Sequence, residues 1–140
     1  MRISKLITGL VLGSFVALSL GAMGFAQAKK ASKAEEKGPK NPVKFSQQSV
    51  DAGKEIYSKN CVPCHGAAGK GDGAMADKLT PKPSDLTAAT LKHGSTDGEI
   101  FTNIKDGIPP AMKMKAFSAK LSDTDIWNVV NYIHSLQGKK

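Results

Sequence analysis

Cys61-Val62-Pro63-Cys64-His65 decides how the rest of the chain is read. Two thiols three positions apart, with an imidazole directly after the second, have the spacing by which a c-type haem is attached. The thiols of Cys61 and Cys64 add across the two vinyl groups of one porphyrin as thioethers. His65 is then held beneath the iron as its proximal ligand. Other chemistries also use a Cys-x-x-Cys pair. A dithiol oxidoreductase attacks a substrate disulfide with one low-pKa thiolate, but its fold needs a strand before the motif. A zinc site here lacks a fourth ligand at finger-like spacing. A disulfide across two intervening residues closes too small a loop to stabilise much.

Outward from the motif the pattern is helical. Val50–Lys59 is expected to form a helix capped by Ser49, with Asp51 in its first turn. Gly53, Ile56, Tyr57 and Asn60 share one side of it, and a glycine on that side lets a second helix approach closely. No alternating strand pattern precedes Cys61. After His65 come Gly66, Gly69, Gly71 and Gly73, with Asp72 among them. No Gly-Lys-Ser/Thr follows, so a phosphate cradle is not indicated. Backbone wrapped tightly beside a large flat cofactor is the better reading. Ala74–Leu79 is expected to form one helical turn, ended by Pro81 and Pro83.

Thr96 or Asp97 caps a further helix reaching about Asp106, with Ile100, Phe101 and Ile104 inward and Gly107 as its stop. Ile108–Phe117 opens with Pro109-Pro110 and is read as irregular. The last helix starts at Ser122, which forms a capping box with Asp125. Ile126, Val129, Val130, Ile133 and Leu136 make its apolar stripe, and Gly138 ends it. That stripe is expected to cross the Gly53/Tyr57 face. Trp127 is placed in the core and His134 at the surface.

Length and charge set the remaining bounds. The chain has 140 residues, room for one domain. Arg2 and Lys5 precede a stretch from Leu6 to Ala28 without a charged residue, which ends in Ala26-Gln27-Ala28. Residues 1–28 read as a secretory signal peptide cleaved after Ala28, giving a periplasmic protein. Left uncleaved, the same stretch is long enough to anchor in a membrane. Residues 29–44 carry six lysines against Glu35 and Glu36 and little apolar surface, so they read as a flexible Lys-rich leader. Residues 45–140, the remaining domain, hold twelve lysines against ten acids. The formal net charge of +8 therefore belongs mostly to the leader and signal, and a nucleic-acid partner is not supported. Both cysteines lie in the motif, which leaves none for a disulfide framework.

These residues match a known pattern. The chain resembles the bacterial monohaem class I cytochromes c from about Ser49 to Leu136. The resemblance rests on Cys61–His65, Gly66-x-x-Gly69-x-Gly71-Asp72-Gly73 and Pro81-Lys82-Pro83. Met114-x-Ala116-Phe117 and the run from Leu121 to Ile133, with Ser122, Asp125, Ile126, Trp127, Val129, Val130 and Tyr132, complete it. Lys115 stands where the family usually has proline. The resemblance implies an all-α fold, about four helices wrapped around one covalent haem c, with the first and last helices crossing.

The residues leave two thioethers, Met112 and Met114, as distal ligands opposite His65. Separated by one position, they point to opposite sides of an extended loop. Met114 stands three before the apolar Phe117, the offset at which the family places its ligand, so Met114 is chosen and Met112 is second. His93 is the rival. The second imidazole nitrogen of His65 is expected to donate to a backbone carbonyl, which the resemblance places in the loop at Pro81–Pro83. A iron with both axial positions filled is suited to electron transfer. The expected function is that of a monomeric periplasmic electron carrier, not an enzyme, serving a terminal oxidase or another cytochrome. Lys113, Lys115 and Lys120 are placed to steer an acidic partner. The alternatives are a haem enzyme or gas binder with an open distal site, or the electron-input subunit of a larger respiratory complex.

Overall fold

A computed structural model describes residues 37–109 and 114–139. The 1–28 segment, Met112 and Lys113 lie outside these residues. The described chain is all-α. Helix α1 spans Gln47–Asn60, α2 Val62–His65, α3 Asp97–Asp106 and α4 Asp123–Leu136, with a 3₁₀ turn at Ala76–Lys78. Among the described residues the only β pairing is an isolated antiparallel bridge between Ile108 and Met114. No helix among them is long and apolar enough to cross a membrane.

Helix α1 begins three residues before its expected start. Ser46, extended at φ −158°, is its cap, and Ser49 is the third helical residue. The two serines form a reciprocal box: the Ser49 amide donates to Ser46 Oγ (3.2 Å) and the Ser46 amide to Ser49 Oγ (3.1 Å). Ser49 is buried, which suits an inward-facing partner better than a free cap. Helices α3 and α4 start as expected, each on a capping box, Thr96 with Glu99 and Ser122 with Asp125.

Helices α1 and α4 cross at Gly53. A Cβ there would collide with the carbonyl of Asn128 and lie 2.9 Å from the Tyr132 Cβ. Only glycine lets the two backbones come this close. Tyr57, Ile126, Val129 and Val130 are fully buried around the crossing. Tyr57 meets Tyr132 with ring centroids 5.0 Å apart. Trp127, in the core as expected, stacks on Phe101 at 4.0 Å and ties α3 to α4.

Two further expectations are corrected. The first concerns the leader. Its described part, residues 37–44, lies on the domain rather than free of it. The Lys37 carbonyl accepts from Thr96 Oγ1 (2.8 Å), and the backbone of Gly38 meets that of Gly98, where a Cβ would lie 2.8 Å from the Gly98 carbonyl carbon. Asn41 Nδ2 donates to Asn131 Oδ1 (2.9 Å), and Asn131 Nδ2 donates to Val43 O (3.3 Å) and Ser49 Oγ (3.0 Å). Asn131 is only 2% exposed, so its amide needs these partners. Composition indicated little apolar surface in the leader, and the attachment is indeed largely polar.

The second concerns His134, which is buried, not at the surface. The last turn of α4 faces the first turn of α3, where His134 Nε2 pairs with Asp97 Oδ1 at 2.7 Å. That hydrogen bond holds the Asp97 carboxyl below the usual carboxylate range, against the opposing effect of its partial burial.

Candidate functional site

Helix α1 runs straight into the motif. The Cys61 amide donates to Tyr57 O (2.8 Å), and the amides of Cys64 (3.1 Å) and His65 (2.9 Å) both donate to Cys61 O. Pro63 stands in the first turn of α2, where its missing N–H costs no helical bond. Tyr57 also reaches past the motif: its hydroxyl donates to Gly66 O at 2.9 Å. One residue, through its carbonyl and its hydroxyl, therefore spans Cys61 to Gly66.

The glycine loop returns onto this short helix. Gly71 N donates to His65 O (2.9 Å), Gly73 N to Cys64 O (3.2 Å) and Met75 N to Pro63 O (2.8 Å). These bonds satisfy carbonyls that α2 is too short to use itself. At Gly71, φ +75°, a Cβ would strike Pro83 O. A Cβ on Gly66, Gly69, Gly71 or Gly73 would meet other parts of the chain, so these glycines let the loop close on the motif.

The loop beyond Pro83 supplies a partner for His65. Ser84 O lies 3.2 Å from His65 Nδ1. A carbonyl only accepts, so the ring hydrogen sits on Nδ1 and Nε2 keeps its lone pair. The expected carbonyl was in Pro81–Pro83; it is one residue further on. Burial lowers the His65 pKa, partly offset by this bond, and so favours neutral imidazole.

Cys61, Cys64 and His65 line a cleft of about 380 Å³, together with Met75, Pro83 and Phe117. Cys61, His65, Ser84, His93, Ile108 and Met114 are common to this cleft and to a smaller cavity of about 60 Å³ deeper in the core, which Ile100, Val129 and Ile133 close. Both thiols are free. Burial, and then the neighbouring Cys64, push the Cys61 thiol up to about 12. Such a thiol is not the ready thiolate of a dithiol oxidoreductase. Among the described residues no group of three or more His, Cys, Asp or Glu side chains is arranged to hold a metal ion.

Met114 is half-buried and reaches both cavities. Met112 lies outside the described residues. His93 also borders the cleft but is exposed. Lys115 lines the rim, while Lys82, which also lines it, pairs with Asp77 at 2.6 Å. Asn60, next to Cys61, donates through Nδ2 to Ile56 O (2.8 Å), and its buried Oδ1 has no partner. Sequence reasoning missed Ser84, whose contribution is a backbone carbonyl and carries no side-chain signal. It also missed the Asp97–His134 pair, which joins positions 37 apart.

Two free thiols, an imidazole with a free lone pair and the thioethers of Met75 and Met114 line one apolar cleft. The residues present fit one covalently bound haem c. Comparison with known proteins agrees. The sequence pattern of the family described as Cytochrome c matches residues 50–137. The chain is 34% identical over 106 residues to the cbb3-type cytochrome c oxidase subunit CcoP of Rhodobacter capsulatus, covering 69% of this chain and 34% of that one. It is 35% identical over 85 residues to cytochrome c6 of Gracilaria tenuistipitata var. liui, covering 60% of this chain and 69% of that one. The chain thus spans about a third of the oxidase subunits it matches. Among solved structures, the Kuenenia stuttgartiensis reducing HAO-like protein complex Kustc0457/Kustc0458 superposes with a TM-score of 0.62 at 30% identity. That match covers 68% of this chain and 46% of that one. With its attachment motif, its crossing helices and this family match, the chain belongs to the cytochrome c family as a c-type haem-binding electron-transfer domain of class I fold.

Proposed function

We propose that this domain is an electron-input module of a respiratory complex on the exported side of the membrane, passing single electrons between a donor protein and an oxidase-type acceptor. A bound haem c supplies a one-electron couple. In this reading Cys61 and Cys64 hold the ring by thioethers, and His65 offers Nε2 to the iron while Ser84 O fixes its tautomer. Met114 would offer a thioether to the same iron, which would suit the site to exchanging electrons rather than substrates. The apolar lining of the cleft would keep water from the group and favour its less charged ferrous state. Lys115 at the rim carries charge suited to an acidic partner.

The observation that carries this reading is the convergence of Cys61, Cys64, His65 and Met114 on one cleft, with His65 Nδ1 already occupied by Ser84 O. The likeness to oxidase subunits CcoP and FixP supports placement within a larger complex. A freely diffusing carrier is the second reading, favoured by the likeness to cytochrome c6, of which the chain spans 69%. Fractionation of the native host under mild detergent, followed by haem-stained denaturing electrophoresis, separates the two. Co-migration with an oxidase complex supports the module, and recovery only in the soluble periplasmic fraction supports the carrier. Loss of haem under denaturing conditions would refute covalent attachment and both readings with it.

A further inference from the structure

The segment carrying Met114 is fastened to the end of α3 at two places. Ile108 N donates to Met114 O (3.1 Å), making the isolated bridge. Phe117 N donates to Ile104 O (3.0 Å) and Ser118 N to Lys105 O (3.2 Å). The last carbonyls of a helix have no partner within it. Here two of them are taken up by the amides just beyond Met114, so the end of α3 and the Met114 segment are one hydrogen-bonded unit.

Gly107 joins the two fastenings. It ends α3 at φ 80°, ψ 179°, a region of backbone space open essentially to glycine alone. This turn aims the Ile108 amide at the Met114 carbonyl. A Cβ on Gly107 would sit 2.7 Å from Met114 O, 3.0 Å from Ala116 N and 3.2 Å from the Lys115 carbonyl carbon. All three are backbone atoms, so no rotamer change relieves the contact. Any side chain at position 107 displaces the backbone of 114–116 by several tenths of an ångström. Ligand sets work when held within about 0.5 Å of their geometry.

We propose that Gly107 is the positioning residue for the Met114 thioether: by leaving room for the backbone of 114–116 it fixes where Met114 is held for the iron. The proposal rests on Met114 being the distal ligand, and the test separates the two. Gly107→Ala, Ile108→Pro, Met114→Ala and Gly138→Ala are each made as the haem-loaded protein. Gly138 is the control, since it also has a positive φ (+68°) but nothing within 4 Å of its added Cβ. Ile108→Pro removes the bridging N–H while leaving Gly107 intact and, read against Ile108→Ala, which removes the same cleft-lining side chain but keeps the N–H, decides the matter if Gly107→Ala yields no folded holoprotein. The readouts are the near-infrared thioether-to-iron band of the ferric form, carbon monoxide affinity of the ferrous form, covalent haem retention and helix content by circular dichroism.

The expected result is that Gly107→Ala and Ile108→Pro weaken or abolish the band and bind carbon monoxide about 10–100-fold more tightly, the usual scale for losing a supporting contact behind a ligand. Haem retention and helix content stay at the wild-type level, and Gly138→Ala behaves as wild type throughout. An unchanged band and carbon monoxide affinity in Ile108→Pro and in folded Gly107→Ala overturn the proposal. Equal loss in Gly138→Ala also overturns it, by showing that backbone strain anywhere has the same effect. A band that survives Met114→Ala overturns the ligand assignment itself.

Discussion

Gly53→Ala is a substitution whose sign separates two physical effects. In an isolated helix alanine is better than glycine by about 1 kcal/mol, so local propensity alone predicts stabilisation. At the α1–α4 crossing the new methyl meets the Asn128 carbonyl and lies 2.9 Å from the Tyr132 Cβ. The first of these atoms is backbone on the opposing helix, so relief requires the helices to separate. Overpacking of this kind costs about 1–3 kcal/mol, occasionally more, and the backbone contact places it at the upper end. Subtracting the propensity gain leaves a net loss of about 2 kcal/mol. For a domain of this size that lowers Tm by roughly 8–16 °C. The assay is thermal unfolding of the haem-loaded protein followed by far-UV circular dichroism, with the exposed α1 residue Glu55 changed to Ala as the neutral comparison. A Tm for Gly53→Ala equal to or above wild type would refute the close crossing, because propensity would then have won.

The remaining predictions concern the site and the two corrected elements. Met114→Ala abolishes the near-infrared thioether band and lowers the reduction potential, while Met112→Ala leaves both unchanged; the reverse pattern in redox titration with absorption spectra would move the ligand to Met112. The Asp97 carboxyl is held low by His134, so its contribution is present above the ordinary carboxylate pKa and is lost as pH falls through its lowered folded value. The stability gap between wild type and Asp97→Asn, on the order of 1 kcal/mol after allowing for partial exposure, therefore shrinks as pH falls below the ordinary carboxylate pKa of about 4. A gap that persists at the lowest pH would mean that the loss is one of packing. Deletion through Lys44 strips the buried Asn131 of Asn41 and Val43 and lowers stability by about 1–3 kcal/mol, whereas deletion only through Ala34 leaves Tm unchanged. Equal Tm values for both deletions in urea or thermal melts would show that the docked stretch contributes nothing.

What the sequence made legible follows from which interactions are local. The caps at Thr96 and Ser122 act over three residues, so the start of α4 was placed to the residue and that of α3 to within one, Thr96 or Asp97. Ser46 and Ser49 are equally good capping side chains in the same stretch, and only the inward direction of Ser49 decides between them. The crossing was readable because one glycine stands in the apolar face of α1 opposite a long stripe on α4. The leader was misread over 37–44 because composition measures apolar content, while its attachment runs through backbone carbonyls and the amides of Asn41 and Asn131. His134 was misjudged because its partner, Asp97, comes from another helix. The attachment motif was legible because its chemistry is contained in five residues, whereas Ser84 enters the site through a main-chain oxygen that any residue would carry.

Tyr57 works as a calliper on the attachment motif, its carbonyl closed on the Cys61 amide and its hydroxyl on the Gly66 carbonyl. The outer jaw of a calliper must keep its proton to grip. Burial, with smaller additions from Cys61, Tyr132 and Asp72, drives the phenol well above the ordinary tyrosine range. The grip is therefore indifferent to acid and to every neutral condition. Stability from this group is complete below the unfolded tyrosine pKa of about 10 and declines above it, as the unfolded chain becomes the form that can ionise. Alkali thus has a specific point of attack on this fold, the residue that measures out the span between the first thiol and the glycine after the histidine.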